Sequence, residues 1–243
     1  MTQGTLYGIG VGPGDPELIT VKGAAVLSRC PHVFVPKAKT AGGSVALAIA
    51  GRYIGQDAHI HELLFPMTSD EEALARRWRE NARAVAAVLE AGEDACFLTL
   101  GDLFLYSTFI YLLREIRKLI PAVNVVSVPG VTSFSAAASL SSFPVGEGRA
   151  SVALIPAAAD DPAAVREALG KPGTVILMKI GRRLPEILDL LEEAGLMDHG
   201  VFVARAGMEG QRVEPDLRTL RNLGPEAGYL SIILVHTGKE EKR

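Results

Sequence analysis

Cysteine is nearly absent from this sequence: two residues in 243, Cys30 and Cys96, far apart and without the paired spacing of metal ligands. A disulfide framework and a cysteine zinc site are thereby disfavoured, and the usage is that of a reducing compartment. Aromatic residues are sparse, at 6% with a single Trp. Neither charge dominates, since 25 Lys and Arg face 28 Asp and Glu for a formal net charge of −3. This balance argues against a nucleic-acid binder with a broad basic face, because phosphate neutralisation dominates such affinity. A local basic pocket for an acidic small molecule stays open. Long apolar runs are missing too: the longest late one, Ile232-Ile233-Leu234-Val235, is strand-sized, whereas a membrane span needs roughly 20 residues. Met1-Thr2-Gln3-Gly4-Thr5 lacks the charged and apolar regions of an export signal. The expectation is a cytoplasmic protein without membrane attachment.

What is present is an ordinary globular composition, 48% hydrophobic and 22% charged, at a length for one large domain or two small ones. Short β-branched runs alternate with Ala/Leu-rich stretches, the pattern of strand–helix–strand units. Strands are expected at Leu6 to Val11, His32 to Val35, Ile60 to Leu63, Cys96 to Leu100 and Val123 to Val128. Helices are expected at Thr20 to Ser28, Ser44 to Ala50, Glu71 to Glu90, Ser107 to Leu119 and Ser133 to Ser139. In the longest helix Leu74, Trp78, Ala82, Val85 and Leu89 form one apolar stripe, and Ser69 with Glu72 has capping-box spacing. Arg76, Arg77, Arg79 and Arg83 fall largely off that stripe, as a solvated face does. Helical connections between strands imply a parallel first sheet.

Pro144 to Arg149 reads as a linker. Beyond it, strands at Val152 to Ile155, Val175 to Met178, Val201 to Ala204 and Ile232 to Val235, with a β-ribbon near Arg212 to Leu220, predict a mixed second sheet. The expected fold class is therefore α/β: two α/β domains, 1–143 and 151–243, joined by a linker at 144–150, with a ligand cleft between them.

In α/β sheets, ligands settle beyond the carboxyl ends of strands. Three turns qualify: Gly8 to Pro16, Gly101 to Tyr106, and Pro129 to Ser133. The first is not a dinucleotide cradle, because Pro13 or Asp15 stands where a third glycine is needed. Proline removes an amide donor, and the carboxylate would repel a phosphate. Asp15 is better suited to capping backbone amides, with Pro16 opening a turn. His59 and His61 share one strand face, but no third ligand is spaced nearby, so no metal site is expected.

The stretch Leu6-Tyr7-Gly8-Ile9-Gly10-Val11-Gly12-Pro13-Gly14-Asp15-Pro16-Glu17-Leu18-Ile19-Thr20 resembles the opening signature of the tetrapyrrole methyltransferases. Leu100-Gly101-Asp102 with Tyr106 resembles the family's Gly-Asp-Pro loop, with Leu103 in place of the proline. Val128-Pro129-Gly130-Val131-Thr132-Ser133 and Gly207-Met208-Glu209-Gly210-Gln211-Arg212 resemble two further motifs, all in the family's order. Tyr106-Ser107-Thr108-Phe109, Phe65-Pro66-Met67 and Leu177-Met178-Lys179 look most like the branch methylating C20 of precorrin-2 or cobalt-factor II in cobalamin biosynthesis.

That resemblance implies S-adenosylmethionine as cofactor, a tetrapyrrole substrate and a homodimer. It assigns Leu100, Gly101, Asp102, Leu105 and Tyr106 to a cofactor loop, and Thr132 and Ser133 to the methionine part of the cofactor. Met178, Ala204, Leu230 and Ser231 would wall the adenosine. Pro13, Asp15, Lys37 and Met67 would border the acceptor, with Lys39 and Arg29 as further cations for its carboxylates. No residue stands out as a catalytic base. The alternatives are methylation at another ring position, of uroporphyrinogen III or another precorrin, and a non-catalytic tetrapyrrole carrier.

Overall fold

The computed structural model describes residues 3–37, 43–66, 70–157 and 162–238. It divides into two compact units, Met1–Thr132 and Ser133–Arg243. In the first, β1 (Thr5–Gly10), β2 (His32–Lys37), β3 (His59–Leu64), β4 (Ala95–Thr99) and β5 (Asn124–Val128) form a five-stranded sheet in the order β3-β2-β4-β1-β5. Every pairing is parallel. Four helices make the crossovers: α1 (Val21–Leu27), α2 (Val45–Ala50), α3 (Glu71–Glu90) and α4 (Thr108–Leu119). All five residues of β4 are buried, as expected of an inner strand covered on both faces. Cys96 lies on this strand, and both cysteines are free and buried.

α3 buries Ala82, Val85 and Leu89 of the predicted stripe, while Arg76, Arg77, Arg79 and Arg83 are exposed. Its cap differs from expectation. Asp70, not Ser69, caps the helix, its Oδ1 accepting from the Glu72 and Ala73 amides at 3.0 Å each; Ser69 lies outside the described residues. An Asp carboxylate next to the helix start also suits the positive end of the helix dipole. Asn81 is buried within the stripe, and its Nδ2 donates to the Leu64 carbonyl at 2.9 Å, satisfying a polar group that would be costly unpaired.

α4 buries Phe109, Leu112, Leu113 and Ile116. The Phe109 ring occupies the space a side chain at position 8 would need, since a Cβ on Gly8 would lie 2.5 Å from its Cζ. It also stacks with Phe97 at 5.8 Å between centroids. A strand glycine here lets an aromatic ring lie directly on the backbone.

At the amino ends of β2 and β3, the histidines form a hydrogen-bonded chain. His32 Nδ1 lies 2.9 Å from His61 Nε2, and His32 Nε2 lies 2.6 Å from a Glu93 oxygen. His59 stacks on His32, and His61 on Phe34. Burial, then the neighbouring imidazoles of His32 and His59, hold His61 below the ordinary histidine range.

The second unit contains α5 (Ser133–Ser141), β6 (Val152–Pro156), α6 (Ala163–Leu169), β7 (Thr174–Met178), α7 (Leu184–Glu193), β8 (Gly200–Ala204), β9 (Arg212–Glu214) and β10 (Ser231–His236). Its sheet runs β6-β7-β10-β8-β9. β6 and β7 are parallel, whereas β10 is antiparallel to both β7 and β8. The mixed sheet is thus as expected. The ribbon near 212–220 is not: only Arg212–Glu214 pairs with β8, and Leu217–Asn222 is a 3-10 helix burying Leu217 and Leu220. Those two leucines, three apart, face the core only if the chain coils. The division between units also precedes the expected boundary at 143/144. α5 packs against β10 and β8, and Phe143 stacks on His236 at 4.1 Å.

Two outcomes are expected. Phe109→Ala should cost about 3–5 kcal/mol, as large aromatic truncations in cores do, measurable by denaturant unfolding. For His61 the folded state disfavours the proton, so stability should fall as pH drops below about 6.5. His61→Gln should make that segment of the pH–stability curve flatter.

Candidate functional site

β4, β1 and β5 are neighbours, so the three turns singled out in the sequence leave the same edge of the first sheet side by side. Their main chains touch. The Val11 amide donates to the Thr99 carbonyl at 2.9 Å, and Gly12 and Gly101 bond each other, Gly101 N–H to Gly12 O at 2.8 Å and Gly12 N–H to Gly101 O at 3.3 Å. A Cβ on Gly10 would sit 2.5 Å from the Gly130 nitrogen, and one on Gly130 would sit 2.1 Å from the Gly101 oxygen. Neither position accepts a side chain. Gly101 itself has a left-handed φ of 71° and faces open space, with no heavy atom within 4 Å of where its Cβ would stand. A buried backbone with no side chain in front of it suits a ligand read through main-chain groups.

Asp102 joins two of the turns. Its Oδ1 accepts from the Phe104 amide at 2.9 Å and its Oδ2 from the Gly130 amide at 3.2 Å. Below it, the buried hydroxyls of Thr99 and Ser107 lie 3.0 Å apart, and Ser107 Oγ caps α4 by accepting from the Phe109 amide at 3.0 Å. Leu103, which stands where the family has proline, is fully buried in the core. It anchors the loop by packing where proline would do so by ring geometry. Phe104 and Tyr106 are exposed, Leu100 and Leu105 half-buried, and Tyr106 takes a left-handed φ of 51°. Thr132 and Ser133, both half-buried, follow the third turn.

Of the residues expected to border an acceptor, Pro13 is buried and Asp15 half-buried, its Oδ1 accepting from the Glu17 amide at 2.8 Å as the cap of a short 3-10 turn. Lys37, at the carboxyl end of β2, is paired with Glu62 at 2.7 Å. Met67 and Lys39 lie outside the described residues. Arg29 is exposed before β2, at the amino end of the sheet, and so is not brought to this edge.

In the second unit the expected residues also share one edge. Met178 ends β7, Ala204 ends β8 and Ser231 begins β10; register pairs Ser231 with Ala204 and Ile232 with Met178. The antiparallel direction of β10 brings its start to the finish of the other two. Ser231 is buried, and its hydroxyl donates to the Gly228 carbonyl at 2.7 Å. The Gly207–Arg212 turn is closed by its own side chains: Gln211 Oε1 accepts from the Gly207 amide at 2.8 Å, and Arg212 pairs with Glu214 at 3.0 Å. The Arg212 hydrogen bond holds the Glu214 carboxyl below its usual range.

The sequence reading missed the contact between Gly10 and Gly130, though their glycine and proline neighbours signalled tight turns. It also missed Lys179 and Arg205, which carry left-handed φ values of 55° and 50° beside Met178 and Ala204. Residue type gives no signal for that. None of the five histidines lies in these turns. Among the described residues, no group of three or more His, Cys, Asp or Glu could hold a metal ion, and no helix is long and apolar enough to cross a membrane. The arrangement is one for gripping and orienting ligands through small residues and main chain.

A family model described as Tetrapyrrole (Corrin/Porphyrin) Methylases matches residues 5–221. The cobalt-precorrin-2 C(20)-methyltransferase of Salmonella typhimurium is 36% identical over 234 residues, spanning 96% of this chain and 97% of that protein. A probable cobalt-precorrin-2 C(20)-methyltransferase of Methanocaldococcus jannaschii is 32% identical over 230 residues, covering 95% of each. Among solved structures, the cobalt precorrin-4 methyltransferase CbiF matches with a TM-score of 0.76 at 20% identity, over 96% of this chain and 94% of that one.

The contrast among the glycines is testable. Gly101→Arg should remain folded, losing roughly 1–2 kcal/mol for a side chain at positive φ, while the arginine fills the open face and abolishes cofactor binding in a calorimetric titration. Gly130→Ala should lose about 1–3 kcal/mol or more through the backbone clash, visible as a lowered melting temperature without any ligand.

Proposed function

The chain belongs to the tetrapyrrole (corrin/porphyrin) methylases, and on that premise we propose that it transfers a methyl group from S-adenosylmethionine to C20 of precorrin-2 or cobalt-factor II in cobalamin biosynthesis. The observation that carries the reading is near-full-length identity of 36% with a relative named for that ring position. Both relatives described above are named for the cobalt-containing acceptor, which favours it over the metal-free one. The family likeness also supports a cytoplasmic homodimer.

When bound, S-adenosylmethionine supplies a methyl group already activated on its sulfonium. The residues present fit such a group. Gly101 offers an open backbone face, and Asp102 holds that loop to the Gly130 turn. Leu100, Leu105 and Tyr106 flank it, and the hydroxyls of Thr132 and Ser133 serve the methionine part. Met178, Ala204, Leu230 and Ser231 wall the adenosine, two of them small or buried enough for close approach. Pro13 and Asp15 stiffen the first turn beside the acceptor, and Lys37 supplies a cation there, shared with Glu62; Met67 completes the proposed acceptor set.

The protein's main contribution is orientation. Holding donor and acceptor carbon in line supplies roughly 7–11 kcal/mol in favourable cases. Knitted turns suit that task better than free loops, because the geometry is set before binding and little ordering entropy remains to be lost. The test is incubation with methyl-labelled S-adenosylmethionine and, under anaerobic conditions, each of the two acceptors. Label should enter the tetrapyrrole at C20, located by NMR, with kcat/KM higher for the cobalt form. Label at another ring carbon, or none, would overturn the assignment.

A further inference from the structure

Among the described residues, five other than glycine have left-handed backbone: Tyr106, Ser142, Lys179, Arg205 and Leu230. Four of them are members of the proposed cofactor set or adjoin one. In the second unit, Lys179 follows Met178, Arg205 follows Ala204, and Leu230 precedes Ser231, all on one sheet edge. Glycine occupies this conformation without penalty, and long side chains seldom do. A long side chain there stands where glycine would cost less, and backbone strain of this kind collects at ligand sites.

Arg205 has the geometry for one. Its amide donates to the Leu230 carbonyl and its carbonyl accepts from the Met208 amide, each at 2.9 Å, so its backbone is fixed from both sides. The side chain is exposed, and its Cδ lies 3.6 Å from where a Cβ on Gly210 would stand. Arg166, Arg182, Arg183, Arg212, Arg218 and Arg221 are all engaged in ion pairs. Among the described residues of this unit, Arg149 and Arg205 are the arginines that take part in none. Lys37, the cation first expected to meet an acidic acceptor, already has Glu62.

We propose that Arg205 is a specificity-determining residue that binds a carboxylate of the tetrapyrrole acceptor. This rests on the methyltransferase reading above. A planar guanidinium on a fixed backbone can take a carboxylate through two parallel hydrogen bonds, a geometry lysine cannot reproduce. The cofactor also has one carboxylate, so the experiment must separate the two sources.

The test compares Arg205→Ala, Arg205→Lys and Arg149→Ala in three measurements: calorimetric affinity for S-adenosylhomocysteine, KM and kcat for the acceptor, and fluorescence titration with uroporphyrin, a stable octacarboxylate that binds without turnover. Arg205→Ala should weaken uroporphyrin binding and raise acceptor KM by about tenfold or more, the usual loss for a charge-assisted hydrogen bond. S-adenosylhomocysteine affinity should stay within about twofold, and the melting temperature should not fall. Arg205→Lys should recover part of the binding; Arg149→Ala should change little. Equal losses in Arg149→Ala and Arg205→Ala would indicate a diffuse charge effect and overturn the proposal. So would a loss confined to S-adenosylhomocysteine, or uroporphyrin binding that is unchanged by Arg205→Ala or absent in the wild type. Absence of methyl transfer in the wild type, with the uroporphyrin difference intact, would instead remove the methyltransferase reading and leave a carboxylate site.

Discussion

Three strand ends meet backbone to backbone at Gly10, Gly101 and Gly130, and no side chain larger than hydrogen fits at the first or the last. The strand order creates this contact. With β1 between β4 and β5, the turns that follow them must pass one another within the spacing of neighbouring strands, about 4.8 Å. Side chains there would force the turns apart, and with them the start of α4, which is held by the Thr99–Ser107 hydroxyl pair beneath the same loop. Phe109 then carries the placement into the core by lying over Gly8. Loop position, helix position and core packing therefore depend on one close approach, and Asp102 adds a polar bridge across it.

The second unit reaches a comparable concentration of turn backbone by another route. Reversal of β10 places its first residue among the last residues of β7 and β8, an arrangement a wholly parallel sheet could not give. Close approach recurs, since a Cβ on Gly228 would lie 1.9 Å from the Gly181 oxygen. Here left-handed backbone is carried by Lys179, Arg205 and Leu230 as well as by glycines such as Gly181 and Gly207. Both units use glycine where backbone must touch backbone; the second also places long side chains in a conformation that penalises them.

Much of the fold was legible because its elements have strong, local signals. The buried strand at 95–99, the apolar stripe of α3 and the break after Val128 each follow from spacing of residues within a few positions. The place of the three candidate turns was legible as well, since such turns follow the carboxyl ends of parallel strands and β4, β1 and β5 are neighbours. Three things escaped. The cap of α3 depends on whether Ser69 or Asp70 enters the helix, a difference of one residue that propensity does not resolve. Val213, Pro215 and Leu217 recur at every second position much as a ribbon would, but the three-residue spacing of the buried Leu217 and Leu220 requires a coil. The place of α5 in the second unit depends on its packing against β10, a contact nearly a hundred residues away in sequence, which no local pattern encodes.

Charge follows the same division between local and distant information. A chain with net charge −3 offers no long-range attraction for a polyanionic acceptor, and at physiological ionic strength any such field fades over about 8 Å. Recognition of carboxylates must therefore come from individual cations held at contact distance. Most arginines of the second unit are committed to carboxylates of the same chain, among them Arg221, which reaches both Asp189 and Glu192. Such exposed pairs contribute little stability, about 0–1 kcal/mol each. Their clearer consequence is negative: they neutralise surface that would otherwise collect anions indiscriminately. What remains unpaired beside a built turn acquires discriminating power because its competitors have been silenced.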